Sequence, residues 1–192
     1  MPSTTVEKPA STPKRDLLLD TADRLFYQRG FHAVGIDTIL AEAGLAKMTL
    51  YHHFASKDEL IVASLERRGR LIAENIAAVF AAAGPSPRKQ LLALFDWHER
   101  WFGRADFNGC AFIRAAGEYP EPDSPVHQAV MRQKQSARKR IEELLQAMDV
   151  VQPKVLAAQI QLLLEGAIVS AQIYRAPLTI RVARDAALKL LK

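Results

Sequence analysis

Apolar residues recur at three- and four-residue intervals through segment after segment of this chain, and nowhere do they alternate with polar ones as a half-buried strand requires. That period commits the chain to helices. The helical stretches are separated by stops at Gly84-Pro85-Ser86-Pro87, Arg104 to Asn108, Pro120 to Pro125, Val150 to Pro153 and Ala176-Pro177. Together they predict an all-α protein of about nine helices with no internal repeat.

The first 60 residues hold three short helices. Leu18, Ala22, Leu25 and Phe26 mark the apolar face of a helix from Asp16 to Arg29, and Gly30 stands where a C-terminal cap belongs. Ile36, Ile39, Leu40 and Ala43 give a second face, closed by Gly44, which tolerates a left-handed turn. Ala46 to Phe54 forms the third, with Leu50 and Phe54 on its buried side and Lys47, Thr49 and His52 on other faces. Ser56-Lys57-Asp58-Glu59 then reads as a capping box opening a long helix to about Ala83. Later helices are expected at 87–103, 109–119, 125–148, 153–174 and 178–191.

At 192 residues and 49% hydrophobic, the chain has enough apolar surface for one large domain or two small ones. The expected division is a flexible arm over 1–14, a helix-turn-helix domain over 15–60 and a helical domain over 61–192. The arm follows from Pro2, Pro9 and Pro13 among Ser, Thr and Lys, too polar to offset ordering entropy. No uninterrupted apolar run of about 18 residues and no signal-peptide core are found, so the expectation is a cytoplasmic protein without a membrane partner. Cys110 is the one cysteine and has no internal disulfide partner; no Cys/His cluster has structural-zinc spacing, and no metal or cofactor is expected.

Net charge points to nucleic acid only locally. The chain carries +5 overall, yet residues 1–60 hold seven Lys/Arg against eight Asp/Glu. Between Leu45 and Lys57, however, stand Lys47, His52, His53 and Lys57 with no acidic residue. Two short helices joined by a Gly turn, the second with small or polar exposed residues and one cationic side, make a helix-turn-helix pattern. The pattern alone also occurs in ordinary helical cores.

The run GFHAVGIDTILAEAGLAKMTLYHHFASKDEL, from Gly30 to Leu60, resembles the DNA-binding segment of the TetR family, whose typical core reads like AGVSKGTLYHHFPSKEEL. The motif resemblance covers about 45 residues, Asp16 to Leu60, and the remainder is similar in helix number and length. It implies that the third helix enters the major groove of double-stranded operator DNA. Lys47, Met48 and His52 would face bases, while Thr49, Tyr51, His53 and Lys57 would contact phosphates. Leu40, Ala46, Met48 and Gly35 depart from the family's commoner Ala, Ser, Gly and Ser/Thr. The resemblance further implies a homodimer built by the last two helices as a four-helix bundle. Leu163, Gly166, Ala167 and Ser170 are the expected contacts, on an apolar surface that also includes Leu156, Ala157, Ile160, Leu164, Ile168 and Ala171; ordinary intrachain packing is the other reading.

In the middle of the C-terminal domain, Trp97, His98, Trp101, Phe102, Phe107, Cys110, Phe112, Arg114 and Glu118 bring aromatic and polar groups together, with Tyr119 beside them. That composition suits a cavity for an unknown small-molecule inducer, or equally a plain aromatic core. Cys110 on its apolar helix is either an inert core thiol or a redox sensor. Gly69 inside the long helix is either a hinge or a site of close packing. No nucleophile elbow, phosphate loop, metal-ligand helix or informative carboxylate pair is found, so no catalytic residue is expected. The expected function is a repressor released from a palindromic operator when inducer binds. The alternative is a helical small-molecule-binding protein that does not bind an operator.

Overall fold

Proline at the first helical position forgoes an N–H that has no intrahelical acceptor anyway, and the first helix begins at such a residue, α1 (Pro13–Arg29). The computed structural model describes residues 13–191. Of the arm expected over 1–14, residues 1–12 lie outside the described residues, and Pro13 and Lys14 are already helical. The other helices are α2 (Ile36–Ala43), α3 (Lys47–His53), α4 (Lys57–Ala83), α5 (Pro87–Phe102), α6 (Ala111–Glu118), α7 (Pro125–Gln146), α8 (Pro153–Tyr174) and α9 (Thr179–Leu190). There are nine helices and no strand among the described residues. The chain divides into two compact units at Ser64/Leu65, inside α4.

The first unit is held by one apolar cluster. Leu18, Ala22, Leu25 and Phe26 of α1 are buried with Ile39 and Leu40 of α2, Leu50 of α3 and Phe54 just beyond it. Phe26 and Phe31 pack with ring centroids 5.2 Å apart, which fixes the exit from α1 after Gly30. Gly44 adopts φ 64°, so that its own N–H reaches Ala41 O and the Leu45 N–H reaches Leu40 O, satisfying carbonyls at the end of α2. The start of α4 is capped reciprocally: Ser56 Oγ accepts from the Glu59 N–H at 3.1 Å. The Glu59 carboxylate reaches back to the Ala55 N–H at 2.6 Å, one residue before the cap position expected from sequence.

The second unit is built on α8, which packs against α7 and α9, while α5 meets α7 and α9. Length and composition alone would let α8 cross a membrane. Instead Leu156, Ala157, Ile160, Leu164, Ala167, Ile168 and Ala171 lie buried in a core shared with Leu94 and Phe95 of α5, Ile141 and Leu145 of α7, and Ile180 and Ala183 of α9. Two ion pairs tie α9 to α5 at the rim, Arg181–Glu99 at 2.6 Å and Arg184–Asp96 at 2.8 Å. Ion pairs this open to water are screened and add little, so register is set by the core.

Gly109, between α5 and α6, is favoured chiefly by its backbone conformation, with a secondary steric effect at the movable end of Gln172. Its φ is 77°, and a Cβ there would overlap the Gln172 carboxamide. Gly109→Ala should therefore destabilise the protein by about 1 to 3 kcal/mol in chemical denaturation. Adding Gln172→Ala should restore only the steric part of the loss. Full restoration would show that backbone conformation at 109 carries no cost.

Candidate functional site

With only seven residues, α3 is oriented by what it buries. Leu50 is fully buried and Phe54 follows in the core, which turns the opposite side of the helix to solvent. Met48 is 78% and Tyr51 44% exposed, Lys47 and His52 are exposed, and Thr49 and His53 are half-buried. Lys57 is half-buried in the first turn of α4. All seven residues singled out around this helix thus lie in the first unit, on α3 or directly after it. Neither Gly35 before α2 nor Ala46 before α3 supplies a side-chain cap, so the leading amides of both helices receive no side-chain acceptor from those positions.

Electrostatics around α3 include residues that the spacing argument left out. Asp37 of α2 lies 3.7 Å from Lys47 Nζ, an exposed pair worth little in water. Lys14 and Arg15, at the start of α1, act on His53. Burial first, then the charges of His52, Arg15 and Lys14, lower the His53 pKa below its usual 6.5. The Arg15 guanidinium also lies 5.1 Å over the Phe54 ring. The cationic surface of this unit therefore includes the first turn of α1, of which the sequence places Pro13 and Lys14 in an arm and Arg15 in the helix-turn-helix domain.

The second unit contains a cavity of about 430 Å³. Trp97, His98 and Trp101 of α5, with Cys110 and Phe112 at α6, form part of its wall, as the composition of that segment led us to expect. Four other residues of the expected set are not in the wall. Phe102 and Phe107 pack into the core with centroids 5.1 Å apart. Arg114 lies about 200° around the helix from Phe112 and donates to Asn108 O at 3.3 Å. Glu118 is one helical turn beyond Arg114 and also outside the wall. The rest of the wall comes from α4 (Gly69, Ile72, Ile76), α7 (Lys134, Arg140, Ile141) and α8 (Leu164, Glu165), which sequence reading missed. Aliphatic and charged residues at helical spacing look like any amphipathic face, so no compositional signal marked them. A Cβ on Gly69 would meet Gln133 and Phe112 at 3.6 and 3.7 Å, ordinary contact, so packing does not demand glycine there.

His98 is the buried polar group of this wall. Its Nδ1 lies 2.8 Å from Leu94 O, and since a carbonyl only accepts, Nδ1 carries the proton and Nε2 is left as an acceptor. Trp97, Trp101 and Phe102 surround the ring with centroids 4.9, 6.0 and 6.1 Å away. The His98 pKa is lowered from 6.5 to about 4, chiefly by burial, with the Leu94 bond partly opposing and the Lys134 charge adding a smaller push in the same direction as burial. Nearby, Lys134 pairs with Glu165 at 3.1 Å, and its Nζ is 4.0 Å from Cys110 Sγ. Gln161 Nε2 donates to the same carboxylate at 2.9 Å.

The α8 surface requires a correction. Leu156, Ala157, Ile160, Leu164, Ala167, Ile168 and Ala171 face the chain's own core, so Ala167 is unavailable to a partner. Leu163 and Ser170 are half-buried, and Gly166 is exposed with open space where a Cβ would project. The apolar side left bare is a different stripe: Val155, Leu162, Val169 and Ile173, with Val182 on α9. Both stripes keep helical spacing; only the neighbours decide which is inside.

Comparison with known proteins adds the following. Residues 18–63 match the family model described as bacterial regulatory proteins, tetR family. Residues 87–187 match the one described as tetracyclin repressor-like, C-terminal domain. The HTH-type transcriptional activator FasR of Mycolicibacterium smegmatis is 48% identical over 54 residues, 28% of this chain and 25% of that protein. The HTH-type transcriptional repressor NemR of Escherichia coli is 27% identical over 136 residues, 70% of this chain and 67% of that one. The match thus spans only a quarter of the FasR length. A crystal structure of a TetR-family transcriptional regulator from Streptomyces coelicolor superposes with TM-score 0.87 at 34% identity, covering 94% of this chain and 89% of that one.

The His98 environment sets an acid limit on stability. Its folded pKa, about 4, is below the unfolded value of 6.5, so the folded state resists protonation. This contribution is fully present above pH 6.5 and is lost as pH falls toward 4. Between pH 7 and pH 5 the wild type should lose about 2 kcal/mol more than His98→Phe in chemical denaturation. Equal losses in the two proteins would show that solvent reaches the ring.

Proposed function

The chain belongs to the TetR family of bacterial regulatory proteins, and from that premise we propose that it is a cytoplasmic, dimeric repressor that leaves a palindromic operator when a small molecule enters the cavity of its second unit. The observation that carries this reading is the orientation of α3. Burial of Leu50 turns Lys47, Met48 and His52 outward at the size and spacing of a major-groove reader, with Thr49, Tyr51, His53 and Lys57 flanking them. Lys47, Met48 and His52 are assigned to bases, and the flanking four to phosphates. Lys14 and Arg15 join the phosphate-facing side.

Two copies pair through the bare stripe on α8 and α9. An apolar series of Val155, Leu162, Val169 and Ile173 down one helix is costly in water and is what a two-fold bundle would cover. A head with so few cations holds DNA weakly at physiological salt, and joining two heads raises the effective concentration of the second. A ligand releases DNA only by binding the two conformations of the protein unequally. Helix α4 carries residues of both functions, Lys57 in its first turn and Gly69, Ile72 and Ile76 in the cavity wall.

Fluorescence anisotropy against fragments selected from the source genome, across a salt series, tests the reading. Lys57→Ala should weaken binding to all sequences alike and reduce the salt slope by about one unit. Lys47→Ala should instead relax preference at one base position, by about 1 to 3 kcal/mol. Loss of that kind at Lys57, or uniform loss at Lys47, would reverse the two assignments. A salt-dependent shift absent with every fragment would favour a binding protein without an operator.

Leu162→Glu places a carboxylate on the bare stripe at a position 69% exposed in the single chain, so the fold should survive. Sedimentation should report a monomer, and operator affinity should fall by orders of magnitude with circular dichroism unchanged. A folded monomer that binds operator like the parent would overturn the dimer mechanism. Ala167→Glu, in contrast, should unfold the second unit.

A further inference from the structure

The cavity wall has a chemical polarity that narrows what can occupy it, and the narrowing rests on the inducer reading above. Its apolar part consists of the Trp97 and Trp101 indoles, Phe112 and aliphatic side chains, with the His98 Nε2 acceptor among them; Gln161 Oε1, in the same wall, is a second acceptor, buried with no hydrogen-bond partner among the described residues. No protein donor reaches that nitrogen among the described residues, and His98 is 92% buried, its relative exposure being 8%. Because the ring remains neutral at physiological pH, it offers a lone pair and no charge. A ligand that fills this end without a donor leaves the acceptor unsatisfied, which is unfavourable in a site from which water is expelled.

The wetter part of the wall carries unbalanced positive charge. Glu66 pairs with Arg132 at 3.3 Å and Glu165 with Lys134 at 3.1 Å. Arg70 and Arg140 also line the cavity, and neither has a hydrogen bond or ion pair among the described residues. Arg70, which is exposed, and Arg140, which is half-buried, stand on different helices, and two guanidinium groups without carboxylate partners favour an anionic ligand over a cationic one; the planar fork suits a carboxylate.

We propose that the cavity binds an aromatic carboxylate bearing a hydroxyl or amino donor on its ring. The ring lies against the Trp97 and Trp101 indoles, the donor is received by His98 Nε2, and the carboxylate is held by Arg140 with Arg70 beside it. The volume of about 430 Å³ accommodates a fused two-ring body.

The chain has two tryptophans, both in this wall, so its indole emission reports occupancy directly. Four probes separate the requirements in isothermal titration calorimetry on the full chain: 6-hydroxy-2-naphthoate, 6-methoxy-2-naphthoate, 2-naphthoate and 2-naphthol. The hydroxy acid should bind once per chain, quench the emission, and exceed each of the other three by on the order of tenfold. His98→Phe should abolish the preference for hydroxy over methoxy or unsubstituted acid while keeping the preference for acid over naphthol. Arg140→Gln should do the reverse. Equal binding of all four probes, or a hydroxyl preference that survives His98→Phe, would overturn the ligand class while leaving the cavity as a binding site. If none of the four binds or quenches while the protein still binds its operator, both the class and the inducer reading of this cavity fall. The wild-type probe series tests the class even if a variant does not fold.

Discussion

Burial of Leu50 decides what α3 can present. A helix advances about 100° per residue, so anchoring position 50 inward places Met48 and His52 within about 20° of the opposite side and sends Thr49 and Tyr51 to the flanks. The observed exposures follow that wheel: Met48 and His52 are open, Tyr51 is partly so, and Thr49 is half-covered. A helix this short has little stability of its own. Its placement depends on burying Leu50 and Phe54 as α3 packs against α1 and α2, and on Gly44 turning the chain at φ 64° so that it can. The residues assigned to DNA are thus held in place by residues buried beneath them.

The same geometry gives α8 its two different apolar sides. Hydrophobic residues occupy more of its circumference than one contact can cover, which marks a helix with partners on more than one face. One stripe, from Leu156 to Ala171, is taken by α7 and α9 within the chain. The stripe from Val155 to Ile173 is rotated by about one residue and finds no cover in a single copy. Gly166 lies between members of the bare stripe and leaves it flat enough for close approach by another helix.

Periodicity and stop residues made the elements legible. Helices α2, α4, α5, α7 and α8 begin and end within about two residues of where caps, prolines and glycines indicated. What periodicity states is which residues share a face; it does not state which neighbour takes that face. That is why Ala167 was placed on a partner-facing surface and proved internal, and why Phe102 and Phe107 were grouped with the cavity and proved to be core. The aromatic cluster on α5 located one wall of the cavity because tryptophan and histidine are uncommon. The walls from α4 and α7 were silent because Ile72, Lys134 and Arg140 are ordinary residues in ordinary helical positions. Lys14 was missed for a different reason, since the proline at 13 reads as arm or as helix start with equal ease; Arg15, inside the expected helix-turn-helix domain, is far from α3 in sequence, and only the fold brings it near His53 and Phe54.

Net charge gives a poor guide to this head, because its cations sit where the free protein disfavours them. Lys47 and Lys57 each occupy the first position of a helix, at the positive end of its dipole, where a cation is disfavoured and leans on nearby carboxylates, Asp37 at 3.7 Å from Lys47 Nζ and Asp58 and Glu59 in the same turn as Lys57. His53 is held below its usual pKa first by burial and then by His52, Arg15 and Lys14, like charges gathered around it. The Gly35 and Ala46 positions leave the leading amides of α2 and α3 without a side-chain acceptor. All of these features favour the same thing, an anion at the helix starts. A phosphate backbone laid across them would satisfy amides, ammonium groups and imidazole together. A segment with no net positive charge can therefore still discriminate for DNA, because what matters is the difference between its free and bound electrostatic energy rather than its total charge.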